Sequence, residues 1–237
     1  MTKLLGSALY AVARRVARVR AAPALHPAGV MCSGTLEVPG DPEGRWQVTW
    51  LDRPAVHRVT VRWSRAAGLP GGLPDGVGLA LRVDDADGAG ATLDLLFTSC
   101  GRGRLGRRLP LPRRDALDGP YSSLTAYRVG DRDRVLTAHP VTPAGGPAGT
   151  PVTLAGLRQA LDRGDVRFRL CTEATGEPRR MFATLTLGPA GPEPAGHTVS
   201  YEPYAHCLPG LRPTRTLRAA RVAAYAGSRE GRTGRRG

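Results

Sequence analysis

Short apolar segments of strand type, cut apart by turn-forming residues, constrain this chain of 237 residues more than any other feature. Val59, Val61 and Trp63 alternate with Thr60 and Arg62, which is the period-two pattern of a strand with one face buried. Segments of the same kind are predicted at 34–38, 46–51, 56–63, 78–83, 92–97, 124–129, 135–139, 166–171 and 181–187. Between them stand Pro39-Gly40-Asp41-Pro42, the stretch 68–75 and the stretch 84–90, all rich in residues that favour turns. Gly130-Asp131-Arg132-Asp133 reads as a hairpin turn, and Pro140 suits a strand end because it cannot donate to a ladder. Residues 101–120 read as a connecting loop and 141–149 as a Pro/Gly linker.

Helical signals are few. Thr153 and Gly164 bracket an apolar-periodic stretch as N-cap and C-terminal stop, predicting a helix over 153–164. Leu5, Leu9, Val12, Val16 and Val19 fall at helical spacing, predicting a basic amphipathic helix over 1–22. A second basic helix is predicted over 214–230, followed by a tail at 231–237. The fold class expected is α+β, a single domain over 1–237. Its centre is a closed antiparallel β-barrel over 26–187, with one interposed helix and helical ends.

The formal charge is +14, from 34 basic residues against 20 acidic ones, and Lys3 is the only lysine. A basic surface is the footprint of nucleic-acid binding. An almost pure Arg-for-Lys bias beside abundant Ala, Gly and Pro is instead what a GC-rich coding sequence produces. The basic-plus-aromatic pattern of a single-strand binder is missing at 5% aromatics, so nucleic acid is not the expected partner. No apolar run is long enough for a membrane span. The N-terminal apolar stretch is broken by Gly6, Ser7 and Tyr10 and makes a poor signal peptide. Cys32, Cys100, Cys171 and Cys207 show no Cys-x-x-Cys or zinc spacing, so free thiols and a cytoplasmic location are the expectation.

Five segments of the sequence resemble the haem-binding core of the catalase family. His26-Pro-Ala-Gly-Val-Met-Cys-Ser-Gly-Thr-Leu-Glu-Val38 is similar to a family segment in which a histidine precedes a Gly-Thr-Phe-Glu-Val strand by the same eight residues. Val61-Arg-Trp-Ser-Arg-Ala-Ala-Gly68 resembles Val-Arg-Phe-Ser-x-x-x-Gly, and Leu93-Asp-Leu-Leu-Phe-Thr-Ser99 resembles Trp-Asp-Leu-Val-Gly-Asn-Asn. Near the end, Leu208-Pro-Gly-Leu-Arg212 and Arg221-Val-Ala-Ala-Tyr225 are similar to the family's Val-Pro-Gly-Ile turn and Arg-x-Phe-x-Tyr helix.

The resemblance implies a haem b protein, with haem iron held by Tyr225. Arg221, four residues earlier and so on the same helical face, would favour the phenolate. It makes His26 the distal proton shuttle, Ser64 the hydroxyl that orients it, and Arg62 and Arg232 the partners of the haem propionates. Thr98 stands where the family carries an asparagine that helps orient peroxide, and Pro23 stands where an arginine is usual. The Phe-Pro-x-Phe-Ile-His segment of the family has no counterpart here.

The function expected from the resemblance is an oxidoreductase that reduces hydrogen peroxide or an organic hydroperoxide, as a peroxidase or weak catalase with a small electron donor. A haem-binding protein without turnover is the alternative, kept open by Thr98, and a basic nucleic-acid module is the remaining one. A homodimer is compatible with the sequence, which does not fix the oligomeric state. His57, His139, His197 and His206 are expected to be surface or turn residues without a role.

Overall fold

The computed structural model describes residues 28–66, 68–69, 73–141, 149–164, 166–192 and 199–214. The helices expected over 1–22 and 214–230, the tail, and with them His26, Arg221, Tyr225 and Arg232, lie outside the described residues, apart from Thr214.

Eight strands run in chain order around a barrel: β1 (Ala28–Val38), β2 (Ala55–Arg65), β3 (Val77–Val83), β4 (Leu93–Ser99), β5 (Tyr121–Val129), β6 (Arg132–Val141), β7 (Arg167–Glu173) and β8 (Arg180–Ala190). Each pairs antiparallel with the next, β4 joins β5 through Thr98↔Ser122, and β8 returns to β1 through Leu36↔Leu185. The sheet is therefore closed, which removes the open edges that would otherwise invite pairing with another chain. A short β9 (Leu211–Pro213) adds to β5 beside Tyr127–Val129.

Alternation decides which side chains fill the barrel. Val61, Trp63, Leu79, Leu81, Leu95, Tyr121, Leu136, Phe168, Leu170 and Leu185 are buried in one apolar cluster. At its centre Phe168 meets Trp63 edge-on at 6.3 Å and Tyr121 edge-on at 5.6 Å, geometries that aromatic rings favour. Trp63 Nε1 donates to the Tyr121 hydroxyl at 3.1 Å, which donates to the Ala116 carbonyl at 2.6 Å, so both polar tips are satisfied. Eight strands leave an interior that side chains just fill.

The segment 46–51 corrects the expected strand. It is a turn followed by a short helix, α1 (Thr49–Asp52), and its apolar side chains join the barrel core. Trp46, Val48 and Trp50 are buried while Gln47 and Thr49 are exposed, so burial alternates as in a strand without any ladder. The Asp52 carboxylate supplies the missing acceptors, taking the N–H groups of Trp46 and Val48 at 3.0 Å each. The 101–120 connection carries one turn of helix, α2 (Gly103–Gly106). The hairpin at 130–133 is tighter than expected, because Val129 pairs with Arg132 and leaves only Gly130 and Asp131 in the turn. Gly130 has φ +62°, and a Cβ there would lie 2.3 Å from the Trp46 carbonyl oxygen, so only glycine fits.

The interposed helix, α3 (Leu154–Asp162), forms where expected. Thr153 caps it by accepting the Gly156 N–H at 3.0 Å, and Gly164 ends it at φ +80°. Its buried Leu157, Ala160 and Leu161 join the barrel core cluster. Among the described residues no helix is long and apolar enough to cross a membrane.

Among the described residues none of the four cysteines forms a disulfide. Burial pushes the Cys32 thiol up to about 12, and those of Cys100 and Cys171 to about 11. Thiolate is the reactive form, so these three should resist iodoacetamide at about pH 8 until denaturant is added, leaving half-buried Cys207 to react first. Mass spectrometry after brief labelling checks this, and native labelling of Cys32 at the rate of a free thiol would contradict the packing.

Candidate functional site

Because Val61, Trp63 and Phe97 point inward, their neighbours Arg62, Ser64 and Thr98 lie on the outer wall. Cross-strand register then sets them relative to one another. Ser64 of β2 faces Gly78 of β3, Gly78 faces Thr98 of β4, and Thr98 faces Ser122 of β5. Ser64 and Thr98 thus stand in one row, two strands apart, or roughly 9–10 Å by the usual strand spacing. The residue between them has no side chain. The row is hydroxyl, gap, hydroxyl.

Ser64 is 3% exposed and donates through Oγ to the Gly78 carbonyl at 3.3 Å. The Thr98 side chain is half-buried and makes no hydrogen bond among the described residues. Arg62 lies one pleat along, facing Met31 and Ala80, and is 7% exposed. Its guanidinium folds back over Gly29, where a Cβ would come 3.1 Å from Arg62 Cζ and 2.8 Å from Ser64 Cβ. Gly29, three residues after His26 in sequence, is the direct partner of Ser64 on β1. Of the seven site residues expected from the sequence, the described structure brings Arg62, Ser64 and Thr98 together on one wall. It places none of the other four.

Two pleats from the hydroxyl row lies a polar cluster that the sequence did not reveal. Asp94 of β4 is 0% exposed and accepts from Arg82 Nε at 2.8 Å, Arg82 Nη2 at 2.7 Å and the Glu202 N–H at 2.7 Å. His206 Nδ1 lies 2.7 Å from the same carboxylate, and Arg82 also donates to the Ser200 carbonyl. Tyr201 stacks on the Arg82 guanidinium at 5.3 Å, and its hydroxyl is buried without a hydrogen-bond partner among the described residues. Burial pushes the Tyr201 phenol well up, opposed by the nearby Arg82 and Arg62 charges. The cluster pins segment 199–208 against β3 and β4.

The histidines correct the expectation of idle surface residues. His206 belongs to the Asp94 cluster, and His57 stacks on Trp50 with its Nε2 buried. His139 lies 3.3 Å from Glu173 and 3.0 Å from the Thr137 hydroxyl. His197 falls outside the described residues. No local pattern could have announced these contacts, since the partners of His206 are 112 and 124 residues away. Among the described residues, no group of three or more His, Cys, Asp and Glu is placed to hold a metal ion.

No family model matches the chain, and no curated protein sequence matches it. Solved structures do. The crystal structure of a fungal catalase superposes with a TM-score of 0.57 at 12% identity, over 85% of this chain and 57% of that one. The structure of a bacterial catalase superposes with a TM-score of 0.58, also at 12% identity, over 88% of this chain and 56% of that one. The chain thus spans a little over half the length of the catalases it matches. At this identity the likeness is one of fold, and the fold is the closed eight-stranded antiparallel barrel of the catalases.

Proposed function

We propose that this chain binds haem b and reduces hydrogen peroxide or an organic hydroperoxide, acting as a peroxidase with weak catalase activity. The observation that carries the reading is the outer-wall row of Ser64, Gly78 and Thr98 beside Arg62, on a barrel of catalase fold. The described residues fit one side of such a group. Gly78 puts no side chain between the two hydroxyls, and Arg62 carries a guanidinium fork of the kind that suits a propionate. When bound, haem supplies the iron centre at which the peroxide O–O bond is cleaved.

The chain's own residues then have separate tasks. Tyr225 is the iron ligand, and Arg221 beside it favours its phenolate. Arg62 and Arg232 hold the propionates. His26 moves the peroxide proton, for which a neutral imidazole with a reference pKa of about 6.5 is suited. The Ser64 hydroxyl donates to the Gly78 carbonyl, and a hydroxyl can also accept from an imidazole N–H and so fix its tautomer. Thr98 offers one hydroxyl where an amide would offer two fixed ends, which favours oxidation of a small electron donor over dismutation. It also favours a second reading, a haem carrier without turnover, which oxygen evolution from the loaded protein distinguishes.

Hemin titration tests the proposal. Wild-type protein should take up one equivalent with a shifted Soret band, and Tyr225→Phe should abolish or grossly alter that band. Failure to bind hemin, or a Tyr225→Phe spectrum identical to wild type, overturns it.

A further inference from the structure

Away from the Arg62 row, the connection between β4 and β5 folds back on the barrel rim. Ser99 Oγ donates to the Leu111 carbonyl at 2.7 Å, and Arg113 and Asp75 exchange backbone hydrogen bonds at 2.9 Å. This fold-back buries Arg113, which is only 8% exposed. Its Nη2 donates to the carbonyls of Cys100 at 2.5 Å and Pro120 at 2.6 Å, and its Cζ sits 5.6 Å from the centre of the Tyr121 ring. Nη1 is buried and bonds to nothing among the described residues.

Among the described residues no carboxylate pairs with this cation. Asp115, close in the fold, commits Oδ1 to the N–H groups of Leu117 and Thr150. Asp118 pairs with Arg102 across 3.4 Å. Burial accordingly holds the Arg113 guanidinium below its ordinary range, against the pull of Tyr121, Cys100 and Asp118. A buried charge without a partner is costly, and such groups concentrate at sites that bind something.

Arg113 lines a cavity of about 420 Å³ together with Arg102, Arg114, Asp115 and Asp118, within the usual size of small-molecule sites. The lining carries three arginines against two aspartates. Gly119, at φ +105°, lets the two guanidinium groups converge on its backbone: a Cβ there would lie 3.2 Å from Arg113 Nη2 and 3.5 Å from Arg102 Nη2.

We propose that this cavity binds a small molecule through an oxyanion group, with Arg113 as the buried anchor and Arg102 and Arg114 as the cations at its mouth. The two-pronged geometry of guanidinium suits phosphate and carboxylate alike. Its lining includes none of Arg62, Ser64 and Thr98, and the proposal does not depend on haem.

Calorimetric titration of the full chain with inorganic phosphate, and separately with acetate, at constant ionic strength tests this. One of the two should bind with a dissociation constant of roughly 1 mM or tighter. Arg113→Gln should weaken that binding at least about tenfold, and Arg113→Lys, which keeps the charge but loses the fork, by less. Arg113 also ties two loop carbonyls, so its variants are checked for folding by thermal melting. The double variant Arg102→Gln/Arg114→Gln alters only exposed side chains and should weaken binding severalfold at an unchanged melting temperature. Binding of neither anion, binding unchanged in folded Arg113→Gln, or binding unchanged in the double variant would each overturn the proposal.

Discussion

Replacing His26 with alanine should lower peroxide consumption by the hemin-loaded protein roughly 100- to 10,000-fold, the usual contribution of a positioned acid–base group. Under the proposed function, His26 alone moves the peroxide proton. Ser64 is held within the wall by its bond to the Gly78 carbonyl, and Thr98 has no acid or base of the right strength. Thr98→Asn should act in the other direction. It restores an amide across the gap at Gly78, and one oriented hydrogen bond in a transition state is commonly worth about 2.7–4 kcal/mol, or about 100- to 1000-fold in rate. Oxygen evolution and donor oxidation by wild type, His26→Ala and Thr98→Asn decide both points. Should His26→Ala keep full activity towards every peroxide, haem in this protein is cargo and the distal assignment fails.

Asp94→Ala should destabilise the fold by about 3–5 kcal/mol, the cost of removing one partner from a buried ion pair. The carboxylate is fully buried and gathers Arg82, His206 and the Glu202 N–H, so its loss strands a guanidinium whose side chain is 18% exposed. It also frees segment 199–208 from the barrel wall. In a domain of this size that loss corresponds to a fall of roughly 10 °C in Tm. Asp94→Asn keeps the shape and some hydrogen bonds but not the charge, and should fall between. Thermal and urea unfolding measure both variants. An Asp94→Ala protein as stable as wild type would show that the cluster contributes nothing net, as many exposed pairs do.

Much of the barrel was legible because strand signals are local. The alternation at 59–63 became β2, and Thr153 and Gly164 bounded α3 as their capping chemistry required. The same reasoning misread 46–51, where Trp46, Val48 and Trp50 alternate in burial through a turn whose N–H groups are satisfied by Asp52 rather than by a neighbouring strand. It also missed β9, since three residues carry no periodicity. For the site, Arg62, Ser64 and Thr98 were picked out by family resemblance and not by pattern, because an outward hydroxyl in a strand looks like any other.

By itself, then, the sequence determined the many-stranded antiparallel class, most strand positions and the capped helix. Periodicity and capping act over a few residues, and each can be read without knowing what lies across from it. Only the tertiary structure decided the register that sets Ser64, Gly78 and Thr98 in one row, the closure of β8 on β1, and the gathering of Arg82, Asp94 and His206. It alone decided that Arg113 is buried beside a cavity, with no carboxylate paired to it among the described residues. These are pairings between residues distant in the chain. They are settled by which arrangement buries the most apolar surface while satisfying each backbone group, a balance struck over the whole barrel and not within any one segment.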